Sequence, residues 1–224
     1  MHRIIALALL AAAAATPALA QTAGRFAVGA QVGTTGVGAE AQFQVTPMLT
    51  LRAGGDVFSY EDEYEGGRFT YDGRAEFTTG SVMADLHPFD SAFFISGGAY
   101  IGKREVEVAA TPRGNEVIGG AVLTPQQFGT LVGAADFGGA APFLGLGWNN
   151  TFRSRGPIGF KAVVGAAIAG DPEVSLRREG GATLAAPVQA AFDLEREREE
   201  RELEEDLKDF RILPVAQVGV TFRF

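Results

Sequence analysis

The chain has 224 residues and a net charge of −8, and its lack of cysteine excludes disulfides, thiolate metal sites and thiol catalysis. Two histidines are too few for a histidine-rich metal site, and the acidic balance argues against nucleic-acid binding, which needs basic patches. Thirty glycines are about twice the average share, and the length suits one large all-β domain or two small ones.

The N-terminus has the pattern of an export signal. Arg3 supplies a positive charge, Ile4 to Ala15 is an apolar run, and residues 18–20 fit the small-x-small cleavage pattern. The alternative is a membrane anchor, but a helix over this run would rise only about 18 Å, against a hydrocarbon core of about 30 Å. We therefore expect a signal peptide over 1–20, cleaved after Ala20, and a single domain over 21–224.

From Phe26 onward, apolar and polar residues alternate with a period of two, which predicts strands with one apolar face. The eight predicted strands span about 26–33, 37–45, 49–57, 76–86, 93–101, 143–149, 160–168 and 212–224. The stretch from Tyr60 to Gly73 is predicted to be a loop, and a loss of phase over 76–80 predicts a bulge near Thr79-Gly80. Residues 103–139 are predicted to form a long connection with one helical turn, in which Thr124 is the N-cap and Gln127 completes a capping box.

The length and spacing of these strands match a membrane barrel. About ten residues cross a bilayer at a tilt, and short turns that alternate with long loops are typical of outer-membrane barrels. We therefore predict an all-β fold: an eight-stranded antiparallel transmembrane β-barrel with long external loops, one of which carries an acidic helix. The alternative is a soluble ligand-binding barrel of the lipocalin kind, which would have its apolar residues inside.

The last strand ends with apolar residues at alternate positions, Val218, Val220, Phe222 and Phe224. With this ending, the leader and the eight strands, the chain resembles the small outer-membrane β-barrel proteins of Gram-negative bacteria, the porin family in the broad sense, which includes the OmpA transmembrane domain and OmpW. In that family, such an ending is the signal read by the barrel-assembly machinery. The resemblance implies an outer-membrane location, contact with lipid and lipopolysaccharide, and the assembly machinery as a partner during biogenesis.

Five charged residues lie on the face opposite the apolar stripe, which is the lumen of a membrane barrel: Glu40, Arg52, Asp56, Asp85 and Lys161. Opposite charges should pair there, because an unpaired charge would be costly. The residues form either a structural ion-pair network or a selectivity lining. The interior of an eight-stranded barrel is just wide enough for side chains to fill, which favours the structural network. Glycines on the same face either make room for long side chains or leave a thin water path.

Residues 193–209 are strongly acidic, with ten acidic residues against four basic ones. They predict an exposed helix in the last external loop, either a solvated spacer or a site that captures cations or a partner. A second acidic cluster, Glu61, Asp62, Glu63 and Glu65, would lie on the same rim. Together the clusters predict weak binding of divalent cations, without a dedicated metal site or cofactor.

The hypothesis that the chain is an enzyme has little support in the sequence. An outer-membrane acyl hydrolase needs a serine activated by a histidine. The histidine outside the leader, His87, lies in a predicted tight turn over 87–90, where Ser91 is its one conceivable partner. We therefore expect no catalytic residues. The predicted function is a structural or surface-interaction role or a narrow, cation-preferring passive channel; a lipid-modifying enzyme is the alternative.

Overall fold

The computed structural model describes residues 24–118, 121–207 and 211–224, so the predicted leader and its cleavage site lie outside the described residues. Within these ranges, no helix is both long and apolar enough to cross a membrane.

The described residues form twelve strands, β1 to β12, and two helices, α1 and α2. The strands span Phe26–Gly33, Gly36–Thr46, Leu49–Gly66, Phe69–Leu86, Phe93–Pro112, Glu116–Ile118, Ala121–Leu123, Thr130–Asp136, Ala140–Asn149, Ile158–Ile168, Glu173–Glu179 and Ile212–Arg223. The helices span Pro125–Phe128 and Ala186–Leu207, and a 3-10 turn over Pro88–Asp90 joins β4 to β5.

Eight of the strands close into an antiparallel ring in the order β1-β2-β3-β4-β5-β9-β10-β12. The last strand pairs back onto the first, with Val28 opposite Phe222 and Ala30 opposite Val220. This ring confirms the predicted eight-stranded barrel and its eight strands. One rim, the turn end, carries the short connections after β2, β4 and β9 together with Gly24 and Phe224, which are joined by a backbone hydrogen bond. The opposite rim is the loop end.

At the loop end the sheet continues beyond the ring as a blade. The blade is formed by the upper parts of β3, β4 and β5, that is, the parts nearest the loop end, together with β8 and β11. β5 pairs with β9 as far as Ile101 and with β8 from Glu105 onward, and β8 in turn pairs with β11. α2 lies along β11, where the Glu200 carboxylate accepts the Leu176 N–H at 2.8 Å. Glu204 accepts the neighbouring Val174 N–H at 3.4 Å. The acidic helix therefore lies against a strand.

The predicted loop from Tyr60 to Gly73 is wrong, because β3 and β4 continue through it as a paired hairpin. Tyr64 lies opposite Tyr71, and an ion pair of 2.8 Å joins Arg74 to Glu61 across the strands. Polar residues occupy both faces here because the hairpin stands in solvent on both sides. Alternation therefore stops without the strand stopping.

The predicted bulge near Thr79-Gly80 is also wrong, since β4 stays in register with both of its neighbours there. Inward and outward positions keep alternating, but their polarity reverses along the strand. Lower in β4, Val82 and Leu86 face outward, whereas higher up Phe77 faces inward and Thr78 outward. The register shift instead falls between Gln44 and Thr46 on β2.

Both helical predictions are confirmed within the described residues. In α1 the Gln127 N–H donates to Thr124 Oγ1 at 3.4 Å, and the Thr124 N–H donates to Gln127 Oε1 at 3.0 Å, which completes the capping box. The predicted acidic helix corresponds to α2, which begins earlier, at Ala186; residues 208–209 of the prediction lie outside the described residues.

The ring carries its apolar side chains on the outside, where they form a band that we call the apolar belt. Val37, Val82, Leu144 and Val164 are each at least 62% exposed, and similar residues follow around the circumference. Polar side chains fill the interior together with a few apolar ones such as Phe94 and Phe143. This is the inverse of a soluble barrel, whose apolar residues point inward.

Candidate functional site in the barrel lumen

The five charged residues predicted for the lumen all lie inside the ring, and none is more than 6% exposed. Period-two alternation accounts for their direction, because each occupies an inward position of its strand. Glu40 comes from β2, Arg52 and Asp56 from β3, Asp85 from β4 and Lys161 from β10. This group of five therefore comprises three carboxylates and two cations.

Arg52 is the centre of the ion-pair network. Its Nε donates to Asp85 Oδ2 at 2.5 Å and its Nη2 to Asp85 Oδ1 at 3.1 Å, a bidentate pair. Nη1 donates to Glu40 Oε2 at 3.2 Å. The Ser96 hydroxyl accepts a further bond from Nη2 at 3.1 Å, and the guanidinium carbon lies 5.7 Å from the centre of the Phe94 ring. Such a fork of bonds holds the side chain in one orientation.

Glu40 joins Arg52 to the second cation. Its Oε2 also accepts from Lys161 Nζ at 2.5 Å, while its Oε1 accepts from Gln42 Nε2 at 2.7 Å. The Lys161 ammonium donates in addition to Gln31 Oε1 at 2.7 Å. Four of the five charged side chains thus form one continuous chain of ion pairs, Asp85–Arg52–Glu40–Lys161.

Asp56 is held differently, by neutral amides. Gln31 Nε2 donates to Asp56 Oδ1 at 2.8 Å, and Gln217 Nε2 donates to Oδ2 at 3.2 Å. No cation of the described residues lies within 4.0 Å of this carboxylate; Gln31 connects it indirectly to Lys161. Asp56 therefore belongs to the layer above the ion pairs, toward the loop end.

A third polar layer closes the turn end. Asn149 donates to Gln42 Oε1 at 3.0 Å and accepts the Thr151 hydroxyl at 2.5 Å, and Thr151 in turn contacts the Thr221 hydroxyl at 2.7 Å. Sequence reasoning did not name these side chains or the lumen glutamines. The period-two alternation could have identified the glutamines, because Gln31, Gln42 and Gln217 all occupy inward positions of predicted strands.

Three of the inward glycines, Gly145, Gly147 and Gly165, make room for aromatic rings. A Cβ at Gly147 would lie 2.3 Å from Cζ of Phe94, and one at Gly145 would lie 2.5 Å from Cζ of Phe143. The two rings and the three polar layers are all buried inside the ring.

His87 lies at the turn end, where its side chain is 1% exposed and packs against Phe94 with ring centres 5.5 Å apart. Its Nδ1 contacts the Ser91 carbonyl oxygen at 3.1 Å, while the Ser91 hydroxyl donates to the Phe93 carbonyl. Burial and the nearby positive charge of Arg153 hold the pKa of His87 below its usual range. The serine and histidine side chains are thus engaged with backbone and not with each other.

The terminal residues Val218, Val220, Phe222 and Phe224 all face outward, and each is 47–56% exposed. They lie along β12 and just after its end, next to β1, and Phe224 stacks on Phe26 with ring centres 6.1 Å apart. An assembly signal in this position remains a prediction.

The solved structures that are similar to the chain include CarO2 and CarO of Acinetobacter baumannii. The CarO2 match has a TM-score of 0.59 and 22% identity, and covers 89% of this chain and 98% of CarO2. The CarO match has a TM-score of 0.56 and 22% identity, and covers 88% of this chain and 97% of CarO. No known protein-family profile matches the sequence, and no curated protein matches it. At this identity the likeness shows the barrel fold alone.

Proposed function

We propose that the chain is a barrel of the Gram-negative outer membrane whose apolar exterior lies in lipid. The exposed apolar residues around the ring support this, because a soluble protein rarely exposes so continuous an apolar surface. A closed barrel also satisfies its backbone hydrogen bonds internally, as the bilayer requires. The sequence pattern of the leader supports export, and the lipocalin-like alternative lacks the apolar interior it needs.

Within the membrane the barrel acts as a sealed structural body that presents the blade and α2 at the cell surface. The single observation that carries this proposal is the ion-pair chain Asp85–Arg52–Glu40–Lys161, whose side chains are at most 6% exposed in the middle of the lumen. An open pore needs a continuous water path, and these side chains occupy its cross-section. A narrow channel is the weaker candidate.

The acidic loop end is the surface offered to a partner. The hairpin cluster of Glu61, Asp62, Glu63 and Glu65 and the carboxylates of α2 both lie there. Within the described residues no group of three or more His, Asp and Glu side chains is arranged to hold a metal ion. Weak, salt-sensitive attraction of divalent cations shared with lipopolysaccharide phosphates is therefore part of the proposal, rather than chelation.

Planar-bilayer conductance of the refolded mature protein tests the seal. We expect no current steps from the wild type, because the ion-pair chain blocks the lumen. Arg52→Ala should admit small, cation-preferring currents, since three carboxylates and one ammonium would then line the gap. Arg74→Ala, which removes a half-exposed arginine of the hairpin, is the matched control and should give no current steps. Regular steps from the wild type would refute the seal.

Cysteine labelling in intact cells tests the orientation. A cysteine in place of Glu199, on the exposed side of α2, should react with a membrane-impermeant maleimide without any treatment. A cysteine in place of the exposed Arg155, in the turn between β9 and β10, should react only after the outer membrane is opened. The reverse pattern would mean that the loop end faces the periplasm.

A further inference from the structure

A cavity of about 380 Å³ lies inside the ring between the sealed lumen and the loop end. We call it the vestibule; its wall includes Phe77, Thr79, Tyr100, Arg104, Ala167 and Val215. The Tyr100 hydroxyl, 3.5 Å from Gln217 Oε1, marks its floor just above the Asp56 layer. Its volume falls within the range of small-molecule sites, about 300–1,000 Å³.

The vestibule is lined mainly by apolar side chains. Phe77, Val106 and Phe137 form one side, and Ala167, Leu213 and Val215 face them from β10 and β12. This lining reflects the reversal of polarity along β4 and its neighbours, which turns apolar residues inward above the level of the apolar belt. Such a space favours an apolar molecule or an apolar chain of limited length.

One buried cation belongs to this apolar wall. Arg104 is 5% exposed, and two of its N–H groups donate to the carbonyl oxygens of Phe137 at 2.9 Å and Gly139 at 3.2 Å. Both acceptors are neutral, and among the described residues no carboxylate lies within 4.0 Å of the guanidinium; Asp136 interacts with Arg104 electrostatically but forms no direct ion pair with it. A guanidinium has five N–H donors, and a buried charge without a directly paired counter-charge is costly. Arg104 therefore has donors and charge left for an anion.

A second polar group beside Arg104 lacks a partner. Thr79 Oγ1 is buried without a hydrogen bond, although Thr79 lines the same cavity. Phe77 lies directly opposite Arg104 across β4 and β5, and Thr79 is the next inward residue of β4. Thr79 and Arg104 are thus diagonal neighbours on the inward face of β4 and β5.

We propose that the vestibule binds a small amphipathic carboxylate, with its carboxylate on Arg104 and Thr79 and its apolar chain against Phe77, Leu213 and Val215. A single negative charge matches the single positive one, whereas a doubly charged phosphate ester would leave one charge uncompensated in an apolar space. The fork of a guanidinium suits the two oxygens of a carboxylate. The proposal goes beyond the sealed, surface-presenting barrel, because binding above the seal requires no passage through it.

Methyl NMR of the mature protein in lipid nanodiscs tests this with three probes of equal chain length: hexanoate, 1-hexanol and hexylammonium. The methyl groups of Ala167, Leu213 and Val215 report on the vestibule, and those of Val82 and Val164 on the lipid-facing belt. We expect hexanoate to shift the vestibule signals saturably, at least tenfold more tightly than hexanol. The belt signals should only drift as the probes partition into lipid.

Two variants separate anion binding from a merely structural arginine. Arg104→Gln should weaken hexanoate at least tenfold and leave hexanol unchanged, whereas Arg74→Gln, the matched control outside the cavity, should change neither. Val106→Trp keeps Arg104 but fills the space, so it should abolish both hexanoate and hexanol shifts; it also serves if Arg104→Gln does not refold. Equal affinity for hexanoate and hexanol, hexanoate binding that survives Val106→Trp, or no saturable vestibule shift would each overturn the proposal.

Discussion

Replacing Arg52 with methionine should be among the most damaging single changes in the barrel. The substitution keeps an unbranched side chain, which ends where the arginine Nε begins the guanidinium, but removes the cation that bridges Asp85 and Glu40. Both carboxylates are at most 6% exposed, so water cannot take over the lost interaction. Removing one partner of a buried pair costs about 3–5 kcal/mol, because it leaves a buried charge uncompensated. We expect Arg52→Met to lower the free energy of unfolding by this amount.

The double variant Arg52→Met/Asp85→Leu is the informative partner of this experiment. Asp85 would no longer be left as a buried charge, and Glu40 would retain its ion pair with Lys161. A buried pair replaced by apolar residues is often close to neutral. The double variant should therefore recover most of the loss and lie within about 2 kcal/mol of the wild type.

Urea unfolding in lipid vesicles, followed by the fluorescence of Trp148, provides the measurement. This single tryptophan is 47% exposed on the outer belt, so its emission should shift when the barrel leaves the lipid. Arg74→Met breaks a half-exposed ion pair and is the control, with an expected cost of at most about 1 kcal/mol. The reasoning is refuted if Arg52→Met costs no more than Arg74→Met, or if the double variant is as unstable as the single one.

Two further predictions concern packing and pH. The barrel should lose stability as the pH falls below the ordinary pKa of histidine. Burial and the charge of Arg153 lower the pKa of His87 in the folded state. The unfolded chain therefore takes up the proton at a higher pH than the folded barrel does, and this uptake favours unfolding. His87→Gln should flatten the difference between unfolding free energies measured at pH 7.5 and 5.0, and an unchanged slope would contradict this. Gly147→Ala should cost about 1–3 kcal/mol because its Cβ would overlap the Phe94 ring. Gly97→Ala, where a Cβ meets nothing within 4 Å, should change the unfolding midpoint little.

Sequence alternation located the strands wherever the side chains of one face belong to the apolar belt and those of the other face point into the lumen. It failed above the belt, where Glu61 and Arg74 pair across two solvent-exposed strands and where the polarity of β4 reverses at Phe77 and Thr78. A period-two pattern records the contrast between two environments, so it disappears when both faces meet water. The hairpin was therefore interpreted as a loop and the reversal as a bulge.

The candidate site was predictable in membership but not in pairing. Alternation put Glu40, Arg52, Asp56, Asp85 and Lys161 in the lumen, yet it could not show that Asp56 lies outside the ion-pair chain. Its partner Gln217 is 161 residues away in sequence, so the contact depends on how the ring closes. The vestibule was likewise out of reach, because a cavity arises from the spacing of β4, β5, β10 and β12 around the ring.

The blade has two lateral strands whose outer backbone groups find no strand partner within the described residues, and each is shielded from further pairing by a different means. An uncovered strand of this kind is a template for association between copies of a protein. Along β11, Glu200 and Glu204 of α2 accept the N–H groups that another chain would use. Along the upper part of β3, the acidic cluster that includes Glu61 and Glu63 would repel an identical edge. The abundant carboxylates of the loop end would therefore also disfavour edge-to-edge pairing between copies of the barrel.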